Sequence, residues 1–325
     1  MRRSSARETL TWVALAATLV SSGVSAQDVT LSSDDSVAIE LEEAAPVIPD
    51  VEPGQAPQGS VSGMGDINLF PKRIVIDRRQ RIASIGVYNK TANRGDYEIS
   101  ISDMLMTPEG RVIPIDNLPE GIVADRLLPA SGMLRWSPRR VMLLGNEAQT
   151  VRIMARPPAD LPPGEYRSHF MIVSVPEDSG GLTIEQALEG GASENDSVGV
   201  VIRPRFGISI PVIVRIGETS LAVGLEVKGL VETDAGQALA LTLNRSGTRS
   251  AFGDLVVSAR GVSEPVAVSR GVGVYPEIDS RDVVIPINAE LPAGTIRPGS
   301  ILNVRFVDDD VNPGELLASQ DYVVP

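Results

Sequence analysis

No cysteine occurs among the 325 residues, so disulfide frameworks, zinc–thiolate sites and thiol nucleophiles are excluded. Histidine occurs once, at His169, which rules out a histidine-rich metal site and leaves a Ser-His-Asp triad a single residue to use. That histidine has no evident acid partner close by in sequence and reads as structural. Aromatic residues make up 4% of the chain against 42% for apolar residues as a whole. The core must therefore be aliphatic, built from Val, Ile and Leu, whose branched side chains suit strands. Cations are the minority charge, 29 Lys and Arg against 42 Asp and Glu, for a net charge of −13. That balance argues against nucleic acid as the main partner, because phosphate contacts need clustered cations, and it favours solubility. Phosphate loops, nucleophile elbows and metal-ligand spacings are also missing. No enzyme activity, cofactor or metal is expected. Asp308-Asp309-Asp310 is a carboxylate run, but without the Gly and Glu spacing of a calcium loop it reads as a loop or solvated strand end.

Long hydrophobic runs are as scarce. One of them, Leu10 to Val20, follows Arg2, Arg3 and Arg7 and precedes the small residues Val24-Ser25-Ala26. This is the pattern of a secretory signal peptide, residues 1–26, cleaved after Ala26. The alternative, a membrane anchor, is disfavoured because a spanning helix needs about 20 apolar residues. No later segment is long and apolar enough, so no membrane span is expected after cleavage. Residues 27–65 carry Asp34, Asp35, Glu40, Glu42, Glu43, Asp50 and Glu52 without one Lys or Arg, and Pro46, Pro49, Pro53 and Pro57 interrupt them. This is expected to be an acidic, disordered tail.

From Ile67 onward the chain consists of short alternating runs separated by turn signals. Arg73 to Ile76 leads into Asp77-Arg78-Arg79-Gln80; Tyr97, Ile99 and Ile101 alternate with Glu98, Ser100 and Ser102; Pro108-Glu109-Gly110 closes a hairpin to Val112. The segments 149–154 and 165–175 complete a first β-sandwich, residues 66–216. Leu221 to Val227, Ala238 to Asn244, Leu255 to Ala259, Val272 to Tyr275, Val283 to Ile287, Ile301 to Val307 and Gln320 to Val324 predict a second, smaller one, residues 217–325. Between Asn244 and Ser250 the chain reads as a polar turn.

Val198 to Arg215 stands apart. Val198, Val200, Ile202, Phe206, Ile208, Ile210, Val212 and Val214 share one face, with Pro204 the exception. The opposite face carries Gly199, Arg203, Arg205, Gly207, Ser209 and Arg215, broken by Val201, Pro211 and Ile213. Alternation of this length predicts one strand of roughly 55 Å, more than twice the length a sandwich strand of 5–6 residues needs. An ordinary core strand accounts for Phe206 to Val214; the first half is surplus. Before it, Pro176 to Ser197 is a long loop by the usual standard.

The stretch SPRRVMLLGNEAQTVRIMARPPADLPPGEYRSHFMI, beginning at Ser137, resembles the first domain of the PapD-like periplasmic chaperones, and LTLNRSGTRSAFGDLVV, beginning at Leu241, is similar to their second domains. The resemblance extends over roughly residues 66 to 325. It implies two immunoglobulin-like sandwiches and a periplasmic chaperone of pilus assembly. Such a chaperone lends a strand to pilin-like subunits, with an outer-membrane usher as a further partner. It casts Val198, Val200, Ile202 and Phe206 as the donor strand, a form of β-augmentation. It also implies two basic residues that hold the subunit's C-terminal carboxylate. Arg73 is the first; Arg205 or Arg203 is the second, with Arg in place of the family's Lys. The rival reading is an exported structural or adhesive module whose sandwiches act as spacers.

Overall fold

The computed structural model describes residues 60–62, 65–176, 205–292 and 294–325. The expected signal peptide, residues 1–26, together with residues 27–59 of the acidic segment and most of the Pro176–Ser197 segment, therefore lies outside the described residues. Val61 and Ser62, expected from sequence to end the tail, form a two-residue strand β1 (Val61–Ser62) paired with Leu69 and Asn68 of β2 (Ile67–Phe70).

Period-two alternation becomes strands throughout. In β4 (Ile82–Asn89) the odd residues Ala83, Ile85 and Val87 point inward; in β5 (Gly95–Ser102) Tyr97 and Ile99 do. The Asp77 turn is held by its own carboxylate, which accepts the N–H groups of Arg79 and Gln80 at 2.7 and 2.8 Å. The first sandwich stacks two sheets. One runs β1-β2-β4-β10-β8, with β8 spanning Leu134–Ser137 and β10 Ala148–Ala155. The other runs β3-β12-β11-β5-β9, with β3 spanning Ile74–Ile76, β9 Arg140–Leu143, β11 Gly164–Val175 and β12 Gly207–Ile216. The opening segment is divided between the sheets: β2 pairs antiparallel with β4, and β3 pairs parallel with β12. Leu69, Ile85, Leu134, Leu143, Val151, Ile153, Phe170 and Val212 fill the space between, all fully buried. Nearly all are aliphatic, as the scarcity of aromatics requires.

A hairpin, β6 (Met104–Met106) and β7 (Val112–Pro114), leaves this sandwich and leans on the second one. Its tip needs glycine for its backbone, and a side chain there would also have to displace Arg281. Gly110 has φ +80, and a Cβ there would lie 2.4 Å from the Arg281 side chain.

The second sandwich packs β13 (Leu221–Thr233), β14 (Gly236–Gly247) and β17 (Ser280–Pro286) against a sheet ordered β16-β15-β18-β19. In that sheet β15 spans Ala251–Ala259, β16 Ala267–Val274, β18 Ile301–Asp308 and β19 Leu316–Val323. Leu239, Leu241, Leu255, Ile285, Val304 and Phe306 lie at its centre. Met106 and Ile213 of the first sandwich are buried in this second core. The protein is therefore all-β, with two immunoglobulin-like sandwiches whose cores meet. The Asn244–Ser250 segment departs from its reading as a polar turn. Strand β14 runs on to Gly247, Arg245 is buried, and its guanidinium donates to the carbonyls of Gly247, Arg249, Pro276 and Ile278. A polar sequence here satisfies buried carbonyls rather than water.

Candidate functional site

Strand β12 borders both features of interest. On one side it pairs with β11 over its whole length, from Gly207 opposite Val173 to Ile216 opposite Gly164. On the other side β3 covers only Val212 to Val214. From Gly207 to Pro211 that second edge has no strand partner among the described residues. Proline fits such a place, since it has no N–H to offer a ladder. Phe206, just ahead of the strand, is 41% exposed, Ile208 is half-buried and Ile210 is buried. The apolar face thus emerges from the core toward its N-terminal end. Val198, Val200 and Ile202, the other donor candidates, lie outside the described residues.

The cleft between the sandwiches is charged. Glu165, at the start of β11, is fully buried and receives Arg215 Nε at 3.0 Å and the Ser250 hydroxyl. Arg215 also reaches Asp310 of the second sandwich, donating from Nη1 to Oδ1 at 3.2 Å and from Nη2 to Oδ2. Arg249 approaches the same carboxylate at 3.6 Å. Burial is the largest influence on Arg215 and opposes its charge. The hydrogen bonds that Arg215 donates to Asp310 and the charges of Glu165 and Asp310 outweigh it, so the guanidinium's pKa is raised. The carboxylate run stands at a strand end and in the loop after it, as expected, but Asp308 and Asp310 are turned from water into the interior. Asp308 is buried and accepts the N–H groups of Asp310 and Asn312, and Asp310 is the acceptor of the cleft. Among the described residues no His, Asp and Glu cluster is arranged to hold a metal ion.

Arg73 enters this cleft from just ahead of β3. Its side chain is 12% exposed, lies 4.5 Å above the Phe252 ring, and donates to the Asp309 carbonyl. Arg205 is placed elsewhere. Arg73 stands level with Pro211, and Arg205 lies six residues earlier on the chain, roughly 20 Å along the strand. There Arg205 donates to the Ser174 carbonyl at 3.1 Å and faces Glu98 at 3.5 Å. The structure therefore does not bring Arg73 and Arg205 together, and Arg203 lies outside the described residues. Sequence reading missed Arg215, Glu165 and Asp310. One signal was there: Arg215 is the last charged residue of a strand face otherwise broken by Val201, Pro211 and Ile213, and its neighbour across the ladder is Glu165.

A second buried ion pair lies deeper. Arg167 and Glu277 bond directly, each with a 2% exposed side chain. Arg167 also donates to the Met104 carbonyl at 2.9 Å and lies 3.6 Å from the Tyr275 ring, and Glu277 accepts the Met106 N–H at 3.0 Å. His169 sits beside Arg167 and edge-on to Tyr275. Burial first, and the Arg167 charge second, hold its pKa well below 6.5, so it is a neutral packing residue.

No protein-family model matches the chain, and no curated protein matches it significantly. Solved structures do. The YadV chaperone aligns over 80% of this chain and 100% of its own, with 13% identity and a TM-score of 0.40. The CupB2 chaperone of Pseudomonas aeruginosa aligns over 78% and 97%, with 12% identity and a TM-score of 0.37. A chain of the complex between the SafA pilin and the SafB chaperone of Salmonella enterica aligns over 81% and 99%, with 15% identity and a TM-score of 0.37. These three similar structures are of chaperones, the Salmonella enterica one in complex with a pilin.

Proposed function

We propose that the protein is a periplasmic chaperone that captures pilin-like subunits by donating a strand and passes them on to an outer-membrane usher. The observation that carries this reading is the edge of β12 from Gly207 to Pro211, which has no strand partner among the described residues and is flanked by the exposed Phe206. A strand edge of this kind beside an emerging apolar face suits the addition of a foreign strand. The alternating residues Val198, Val200 and Ile202 lengthen that face in sequence. Each Val or Ile buried in a partner's groove stabilises the complex by about 1.5–3 kcal/mol, so three or four of them hold a subunit firmly. Arg73, at the far end of the same lane, receives the subunit's terminal carboxylate. The chain is exported and matures at Gln27.

The test is the double variant Val200→Asp, Ile202→Asp. Capture of a subunit that lacks its final strand should be abolished, because an unpaired carboxylate would face an apolar groove. The melting temperature of the free protein should barely move. A large drop would place these residues in the protein's own core and favour the spacer module instead.

A further inference from the structure

Two neighbouring cations converge on one carboxylate. Lys72 Nζ is 2.6 Å from Asp309 Oδ2, Arg73 Nη1 is 3.8 Å from the same oxygen, and Arg73 Nη2 donates to the Asp309 carbonyl. Asp309 belongs to the loop between β18 and β19, beside Asp308 and Asp310. Its two neighbours are committed. Asp308 shapes the loop through the N–H groups of Asp310 and Asn312, and Asp310 is held by Arg215 with a 3% exposed side chain. Asp309 differs: its side chain is 34% exposed, and Lys72 is 42% exposed. Rotation of the Asp309 side chain into water breaks neither the Asp308 turn nor the Asp310 lock. It leaves the Lys72 ammonium without its carboxylate and the Arg73 guanidinium with Asp310 as its remaining one, 3.8 Å away, both facing the cleft.

The position of this pair matters. Strand β3 occupies the lane beside β12 from Val212 onward, and Lys72 and Arg73 immediately precede it. A strand added in the part of that lane left unpaired among the described residues, beside Gly207 to Pro211 and parallel to β12, ends at these two cations. We propose that Lys72 is the second cation of the carboxylate site and that Asp309 is its resident occupant, which an incoming peptide carboxylate must displace. Asp309 then sets a threshold: only a carboxylate delivered on a well-paired strand competes with one already in place. This inference rests on the proposed chaperone function and gives its carboxylate site a built-in competitor.

The test uses the mature full-length protein and an N-terminally labelled peptide of alternating Val and Thr, made as the free acid and as the C-terminal amide. Fluorescence anisotropy gives the affinity ratio of acid to amide. The ratio should be small for the parent, rise about tenfold in Asp309→Asn, and fall back when Lys72→Ala is added. Asp keeps its shape as Asn, so a melt within a degree or two of the parent is expected alongside. An unchanged ratio in Asp309→Asn overturns the occupant role, and an increase that survives Lys72→Ala overturns the role of Lys72. If both peptides bind equally yet lose affinity in Val200→Asp, Ile202→Asp, the carboxylate site fails and strand donation stands. If neither peptide binds any variant, both fail.

Discussion

Arg167 shows how much one residue is asked to do between the two sandwiches. Its charge is almost wholly removed from water and, among the described residues, Glu277 is the one carboxylate within ion-pair distance of it. A buried pair of this kind is poor support for net stability, but removing one partner is severe because the other charge remains. Glu277→Ala should therefore cost about 3–5 kcal/mol, read from urea unfolding. Replacing both residues by apolar ones should recover part of that loss. His169, two residues along, predicts a pH effect. Unfolded, it titrates near 6.5; folded, burial and Arg167 hold it lower. As pH falls below 6.5 the unfolded chain takes up the proton first, so stability declines through that window until the folded pKa is reached, by at most about 1.4 kcal/mol per pH unit. The parent should thus lose stability between pH 6.5 and 5, and His169→Gln should lose less. Parallel slopes would show that the fold leaves this histidine's pKa where the unfolded chain has it.

At the scale of the element, β12 serves two cores and one open edge. Its even residues Ile210, Val212 and Val214 fill the first sandwich, and Ile213, on the opposite face, fills the second. Ile213→Asp should therefore damage the interface between the sandwiches, whereas Phe206→Asp, at an exposed position, should leave the melting temperature within a few degrees of the parent and weaken subunit capture. The strand itself was legible in the sequence because period two is a local signal, and the same holds for β4, β5, β10 and β14. Ile213 is visible there only as an interruption of that period. What it packs against is set by the neighbouring sandwich, which alternation within one strand does not encode. The cleft was hidden for a similar reason. Asp309 and Asp310 look solvated in sequence because their cationic partners lie as many as 236 positions away, and Arg245 looks like part of a turn because two of the carbonyls it serves come from Pro276 and Ile278, on another segment. Arg73 was picked out by resemblance, yet Asp309 and Lys72 as its companions followed only from coordinates. Burial turns such runs from surface into interior, and charge pattern alone carries no burial.

For the whole molecule, the question is whether the two sandwiches unfold as one body. Their contacts differ sharply in strength. Arg126 and Asp279 bridge them at 2.7 and 2.8 Å, but the side chains are 53% and 70% exposed. Water and salt screen such a pair, and Arg126→Ala should change stability by no more than about 1 kcal/mol. The Glu165–Arg215–Asp310 chain is different, since Arg215 is 12% exposed and Asp310 3%. Beside it Met106 and Ile213 join the second core, and the Pro108 carbonyl accepts the Asp282 N–H at 2.8 Å. With hydrophobic, hydrogen-bonded and ionic contacts in series, the parent should melt in a single calorimetric transition. Asp310→Ala withdraws the carboxylate that Arg215 hydrogen-bonds and that Arg249 and Arg73 approach at 3.6 and 3.8 Å, and leaves Arg215 with Glu165 as its ion-pair partner. The interface should weaken by about 3–5 kcal/mol, while each sandwich keeps its own aliphatic core. The expected result is a split: two transitions in place of one, because the link has failed and not the units it joins. Arg126→Ala, which touches the same interface at its exposed rim, should keep the single transition. A single, merely shifted transition in Asp310→Ala would mean that the apolar contacts of Met106 and Ile213 suffice to couple the sandwiches without the charged cleft.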